Sequence, residues 1–574
     1  MISNKGYNDE RLLGSRRNER ERAESVRMAV SNPEAEIIEE GNDVWMVAAT
    51  PDLSVRPALE DGADFEEVRS LLVESRGEYS VVQVSADDEL TIRAHRGITS
   101  AYDIYLTRAS NGDVIVTDLF RNALSHLAVD DRTVTKDIIA DHLLYRTTPT
   151  GSYVTEIDRL GHGETLRWKI TSDTLEWSQS ETLGASRRSD SRNPVGRLET
   201  AMERAISYDD CEDVVTMLSG GVDSTLLHTF LPSETPSTSA AFDAPEFSFE
   251  IDYAKEASAL LDSDHDFRIF DESSFCTRLE DTIDAIGMPP QQLQSPTIDA
   301  AFQNDRYDTY VNGMLCDSLF GMGASLPRKV WWTRPLRYLP REVLQLNTHR
   351  RMAGQMLRSP WDPVGMAQQF SQYLPLEYVS EFVGKDIVER RQLSRLCYVR
   401  SLVPLVDAAP SFAAHMDWGH WIEFFCENTV NDYRQIAHAR GKSMRAPFAS
   451  TVVAELALSL PSPHRYVDGL QDKHVPKKLL KRRLPSYETD KPKGDGNLPE
   501  SRYLREGPLV EAQEQYAIPE FVPSSNWADV VERQPGMGWI LVSWAIWRDR
   551  VLREDDVTEA PSTRAVEVTT GTVA

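Results

Sequence analysis

Between about residues 36 and 180 the chain alternates apolar and polar positions in short runs, as in EYSVVQVSADDELTIRAHRG, YDIYLTRASNGDVIVTDL and GETLRWKITSDTLEWS. A period of two sets every second side chain on one face, so each run predicts a half-buried strand. Breaks at Asp87-Asp88, Asn111-Gly112 and Ser172-Asp173 predict hairpin connections. Two antiparallel sheets packed together would bury the apolar faces. One helical period, about 133–146, interrupts the pattern.

After about residue 195 the texture changes. PVGRLETAMERAISYD has a helical period, and DVVTMLSGGVDSTLLHTFL reads as a buried strand, a glycine loop and a helix. TSAAF and DFRIF predict further strands around the helix YAKEASALLD, and YDTYVNGMLCDSLFG repeats the strand, polar turn and helix start. Strands alternating with helices predict a parallel sheet covered on both faces. About 330–550 reads as mainly helical, and the closing DDVTEAPSTRAVEVTTGTVA has no apolar period.

The expected fold class is therefore α/β and α+β in two domains. A charged extension (1–35) precedes a two-layer antiparallel β domain (36–182), and a Ser/Arg/Asn/Pro-rich linker (183–194) follows it. A parallel-sheet α/β domain with a helical C-terminal part (195–553) and a disordered tail (554–574) complete the chain.

Composition narrows the partners. A chain of 574 residues with 41% hydrophobic and 26% charged residues is globular. Its net charge of −28 disfavours nucleic acid or an anionic membrane as a main partner. Only 13 of the 62 basic residues are lysines, and acid excess with lysine depletion suggests a high-salt, halophilic cytoplasm. The polar start lacks a signal-peptide core, and no window approaches the ~18 apolar residues of a membrane span. The five dispersed cysteines form no C-x-x-C pair, so a reduced, cytoplasmic protein without a zinc cluster is expected.

The sharpest chemical signal is Ser219-Gly220-Gly221-Val222-Asp223-Ser224, directly after the strand VVTML. Two glycines let backbone approach a ligand, and a following helix aims N–H groups at an anion. The lysine of the G-x-x-x-x-G-K-[ST] loop is missing; Asp223 stands there instead, a carboxylate suited to Mg²⁺ beside a polyphosphate.

SGGVDS resembles the pyrophosphate loop of ATP pyrophosphatases, and further matches narrow the resemblance to the asparagine synthetase family. NGMLCDSLFG (312–321) is similar to that family's second loop, MRAPF (444–448) to its R-x-P-F segment, and KHVPKKLLKRRLPSYETDKPKGDGNLP to its lysine-rich stretch. PGMGWILVSWAIW resembles its terminal Trp-containing helix, and RAHRGITSAYDIYLTRASNGDVIVTDLFRNALSHL the arginine-glycine strand and hairpin of its glutaminase domain. The resemblance implies ATP and Mg²⁺ as cofactors, with Asp223 and Asp317 as magnesium ligands. It also implies nucleotide contacts at Ser219, Gly220, Gly221, Val222, Asp223, Ser224, Ser239 and Gly313, with the backbone of Thr238–Ala240 facing adenine. Lys493, or Lys491 in an alternative register, would contact the α-phosphate and developing oxyanion. Six of the 13 lysines fall within 473–493; a solvated helix face accounts for Lys477, Lys478 and Lys481 better than for the two loop lysines.

Two departures shape the expected function. Glutamine-dependent members use an N-terminal cysteine nucleophile, whereas Met1 and Ile2 open this chain and Cys211 is its first cysteine, so the β domain is expected to be an inactive scaffold. The family's proton-accepting Glu, or the Tyr of β-lactam synthetases, is replaced by Met314. The resemblance then implies an AMP-forming carbon–nitrogen ligase acting on a small-molecule or peptide carboxylate. A cyclase like lasso-peptide cyclases and β-lactam synthetases comes first, with a precursor peptide and its protease as partners. An ammonia-using asparagine synthetase, another intermolecular amide ligase and an inactive binding protein are the alternatives.

Overall fold

The computed structural model describes residues 25–50, 53–87, 89–148, 151–183, 192–206, 213–320, 376–402, 429–460, 467–468, 471–491, 499–569 and 572–573. The N-terminal part holds two six-stranded sheets. One is formed by β2 (Glu36–Glu40), β3 (Asp43–Thr50), β4 (Glu78–Ser85), β5 (Thr91–Arg96), β9 (Glu164–Lys169) and β10 (Thr174–Gln179), all antiparallel in the order 10-9-5-4-3-2. The other contains β1 (Ser25–Val30), β6 (Tyr105–Arg108), β7 (Val114–Thr117) and β8 (Ile157–Arg159). This second sheet is mixed, because β1 runs parallel to β7. Alternation along the strands works as the sequence suggests: Val82, Val84, Ile92 and Ala94 pack with Val26, Met28, Val114 and Val116 into one apolar layer.

Three features differ from the expectations. The domain begins by Ser25 rather than residue 36, because SVRMAV pairs as β1. The expected helix at 133–146 is Lys136–Tyr145, started by the Thr135 side chain, but helices Arg56–Glu60, Phe65–Ser75 and Phe120–Ser125 also interrupt the strands. Phe65–Ser75 is begun by a capping box between Asp64 and Glu67 and packs Phe65, Val68 and Leu72 onto the outer face of the antiparallel sheet. The tail at 554–574 is a correction: Arg564–Thr569 forms β16, antiparallel to β1, with Thr572–Val573 (β17) beside it. Its partner lies at the other end of the chain, so nothing local announces the pairing.

The second part is built on a five-stranded parallel sheet, order β13-β12-β11-β14-β15. Its strands are β11 (Val214–Met217), β12 (Ser237–Phe242), β13 (His265–Phe270), β14 (Thr309–Asn312) and β15 (Ser443–Arg445). The expected strand-helix alternation is present, and the helix Pro535–Trp547 is buried from Met537 to Trp547. Glu78 and Arg434 join the two parts as a fully buried pair, 2.9 and 3.1 Å, beneath the Tyr102 ring. Among the described residues no helix is long and apolar enough to cross a membrane.

Candidate active site

Strand order explains the site. β11 and β14 are adjacent and parallel, with Met217 opposite Asn312, so the loops leaving their C-terminal ends emerge side by side. This is the reversal point of the sheet, where open parallel sheets bind ligands. The first loop carries Ser219–Ser224 and the second carries Gly313–Asp317.

The first loop is held by its own hydroxyls. Ser219 Oγ and Ser224 Oγ lie 3.1 Å apart, and the Ser219 N–H donates to Ser224 Oγ at 3.2 Å. Gly220 has φ +72°, and a Cβ there would meet the Tyr253 backbone at 2.2 Å, so glycine is required twice over. The Tyr487 hydroxyl donates to the Gly220 carbonyl at 2.5 Å. Gly221 caps the helix Val222–His228, which places Asp223 in its first turn. Gly313 permits the approach of the second loop, since a Cβ there would lie 2.8 Å from the Asp223 carbonyl carbon and the Ser224 nitrogen.

The loops bring Asp223 and Asp317 onto one point of positive charge. Lys473 Nζ lies 2.7 and 3.0 Å from the two Asp223 oxygens and 3.3 Å from Asp317 Oδ1. The side chains of Lys473, Asp223 and Asp317 are 10%, 24% and 41% exposed. Burial disfavours the ammonium charge, but Asp223 and then Asp317 outweigh it and raise the lysine pKa above its ordinary value. Burial and the neighbouring Asp223 keep the Cys316 thiol protonated.

Two carboxylates that converge on one cation fit a magnesium ion that takes its remaining ligands from phosphate and water. No cluster of three or more His, Cys, Asp or Glu suited to a metal occurs among the described residues. A cavity of about 320 Å³ opens beside these loops. Ser219, Asp223, Ser224, Ser239 and Gly313 line it, along with Met314.

The structure thus brings together Ser219, Gly220, Gly221, Val222, Asp223, Ser224, Gly313 and Asp317. Ser239 reaches the cavity, but its hydroxyl donates to the Leu218 carbonyl and lies 3.0 Å from His265 Nε2, which ties it to the sheet. Lys491 Nζ pairs with Glu256 at 2.8 Å and sits over the rings of Tyr487 and Tyr253 at 4.7 and 5.0 Å, a layer behind the loop. Lys493 lies outside the described residues. Lys473 was hidden within the lysine cluster; its signal is position, directly before the helix His474–Arg483, in the left-handed region at φ 49°. Arg445 of the MRAPF segment turns to the N-terminal part and pairs with Glu34 at 2.6 Å.

Residues 197–530, more than half of the chain, match the model of the family described as Asparagine synthase. No curated protein matches the chain.

Proposed function

The chain belongs to the asparagine synthase family, and on that premise we propose that it is an AMP-forming ligase that adenylates a carboxylate and closes an amide within the same molecule. At the level of the family it is an ATP-dependent amide-forming ligase. The observation that carries the finer reading is the convergence of Asp223, Asp317 and Lys473 beside a glycine loop and a cavity.

In this reading Ser219–Ser224 cradle the departing pyrophosphate, and Asp223 with Asp317 hold Mg²⁺. A magnesium ion there supplies charge neutralisation on the leaving group. Lys473 exchanges part of its carboxylate contact for phosphate oxygens, adding charge where it develops. The walls contributed by β12 and Gly313 receive the adenosine end.

Two features favour an intramolecular amine. The β-rich domain contains no cysteine, and Arg96 of its arginine-glycine strand is fully buried, donating to the Ser100 and Leu160 carbonyls and paired with Asp103. In this reading the domain serves as a scaffold, and the amine comes with the substrate rather than from glutamine. Met314 lines the cavity where the family's proton acceptor is expected, which argues for a substrate different from aspartate. A precursor peptide cut by a protease would present both a carboxylate and a free amine.

The test is exchange of labelled pyrophosphate into ATP, with the released nucleotide identified. The carboxylates are L-aspartate and linear peptides bearing an acidic side chain and a free N-terminus. Exchange with a peptide and release of AMP are expected. ADP as product would sink adenylation, and asparagine formed from aspartate and ammonium would establish the intermolecular alternative.

A further inference from the structure

The cavity lining also includes charged groups that the nucleotide reading leaves unused. Among the described residues lining it, those with ionisable side chains are Asp223, Glu250, Arg268 and Tyr433. Asp223 belongs to the phosphate end. Arg268 donates to the Ala300 carbonyl at 2.8 Å and lies over the Phe270 ring at 5.5 Å. Glu250, in the first turn of the helix Ser248–Leu261, shares the cavity with Tyr433, from the helix Asn431–Ala439. The two are close enough for Glu250 to help raise the tyrosine's pKa, after burial and Asp432.

Glu250 is partly buried, and burial pushes its carboxyl above the ordinary carboxylate range; among the described residues nothing hydrogen-bonds or ion-pairs with its side chain. A desolvated carboxylate without a compensating partner is costly, and one that lines a cavity marks a place for a cationic ligand. Ile251 and Ile298, which also line the cavity, offer apolar contact but no charge. Met314 cannot accept a proton, so the reaction of the preceding section still requires a group at the amine.

Resting on that ligase reading, we propose that Glu250, beside Tyr433, is the amine-receiving group: it binds the substrate's primary ammonium and takes its proton. Proton transfer from the ammonium to the Glu250 carboxylate frees the nitrogen lone pair. That pair forms the C–N bond to the acyl carbon while the C–O bond to AMP breaks, and the bonding electrons leave on the AMP phosphate. The second nitrogen proton passes to the departing phosphate or to water. The Tyr433 ring adds the attraction of an aromatic face for a nearby cation.

The experiment uses the full chain, Mg²⁺ and ATP, with n-butylammonium chloride as probe and n-butanol as its uncharged counterpart, both followed by ligand-observed NMR. Wild type is expected to bind the ammonium in the millimolar range. Glu250→Gln should weaken it at least tenfold while n-butanol binding stays within twofold, and Glu250→Asp should recover part of the loss. Equal ammonium binding by wild type and Glu250→Gln, or none by wild type, overturns the assignment. Loss of n-butanol together with the ammonium would make Glu250 a structural residue and overturn it as well. MgATP binding, measured by equilibrium dialysis on the same samples, separates the two levels. Its absence in wild type sinks the ligase reading, whereas normal MgATP binding without ammonium discrimination sinks only the role of Glu250.

Discussion

Lys473 Nζ and Asp223 Oδ2 stand 2.7 Å apart, in the space where the loops after two neighbouring strands meet. Asp317 lies 3.3 Å from the same nitrogen. An ammonium held by two carboxylates competes with any divalent ion for them. Lys473→Met should therefore bind free Mn²⁺ more tightly than wild type, as read by electron paramagnetic resonance. The same variant should lose at least a hundredfold in pyrophosphate exchange, because the phosphates lose their cation. Unchanged Mn²⁺ affinity would show that Lys473 does not share the metal's ligands.

Asp223→Asn and Asp317→Asn test the carboxylates themselves. Each should reduce exchange by a hundredfold or more, corresponding to about 3 kcal/mol of transition-state stabilisation. Circular dichroism and the melting temperature should change little, since both side chains stand at the mouth of the site. Near-normal exchange in either variant would remove that residue from the metal site.

How much of this was legible follows the distance over which each signal acts. SGGVDS was readable because strand, loop and helix lie within one short stretch and Gly220 needs its positive φ. Asp317 was readable only through its loop's resemblance; the parallel pairing of β11 with β14 is what brings it to Asp223. Lys473 was not distinguishable from five neighbouring lysines, because its role depends on where the helix His474–Arg483 starts relative to two distant loops. β16 escaped for a similar reason. RAVEVT is short and half of it is exposed, and only Val568 is fully buried in its pairing with β1.

The buried Glu78–Arg434 pair yields a prediction about stability. Arg434 also donates to the Met444 carbonyl, and the Ala101 N–H donates to Glu78, so neither charge is left to the pair alone. Glu78→Gln strands a buried guanidinium and should cost about 3–5 kcal/mol in urea unfolding. The double variant Glu78→Gln with Arg434→Met should recover part of that loss. If the single change costs under about 1 kcal/mol, the pair behaves as a solvated one and does not join the domains.

Lys491 supplies the final prediction, because its surroundings argue for positioning rather than phosphate contact. Its side chain is 13% exposed, and its ammonium is paired with Glu256 and set over the Tyr253 and Tyr487 rings. Tyr487 in turn fixes the Gly220 carbonyl, and the Tyr253 backbone crowds Gly220. The lysine thus acts on the loop through two tyrosines. A group that touched only the transition state would lower kcat and leave KM for ATP unchanged; a group that shapes the resting loop should act mainly on KM. Lys491→Met should reduce kcat/KM for ATP about tenfold, equivalent to ~1.4 kcal/mol, chiefly through KM. Lys491→Arg keeps the charge and the ring contacts and should restore most of it. Tyr487→Phe removes the bond to Gly220, and its effect should be less than additive with Lys491→Met, as expected for residues acting through one contact. A fall in kcat at constant KM, with full additivity between the two changes, would return Lys491 to the phosphates.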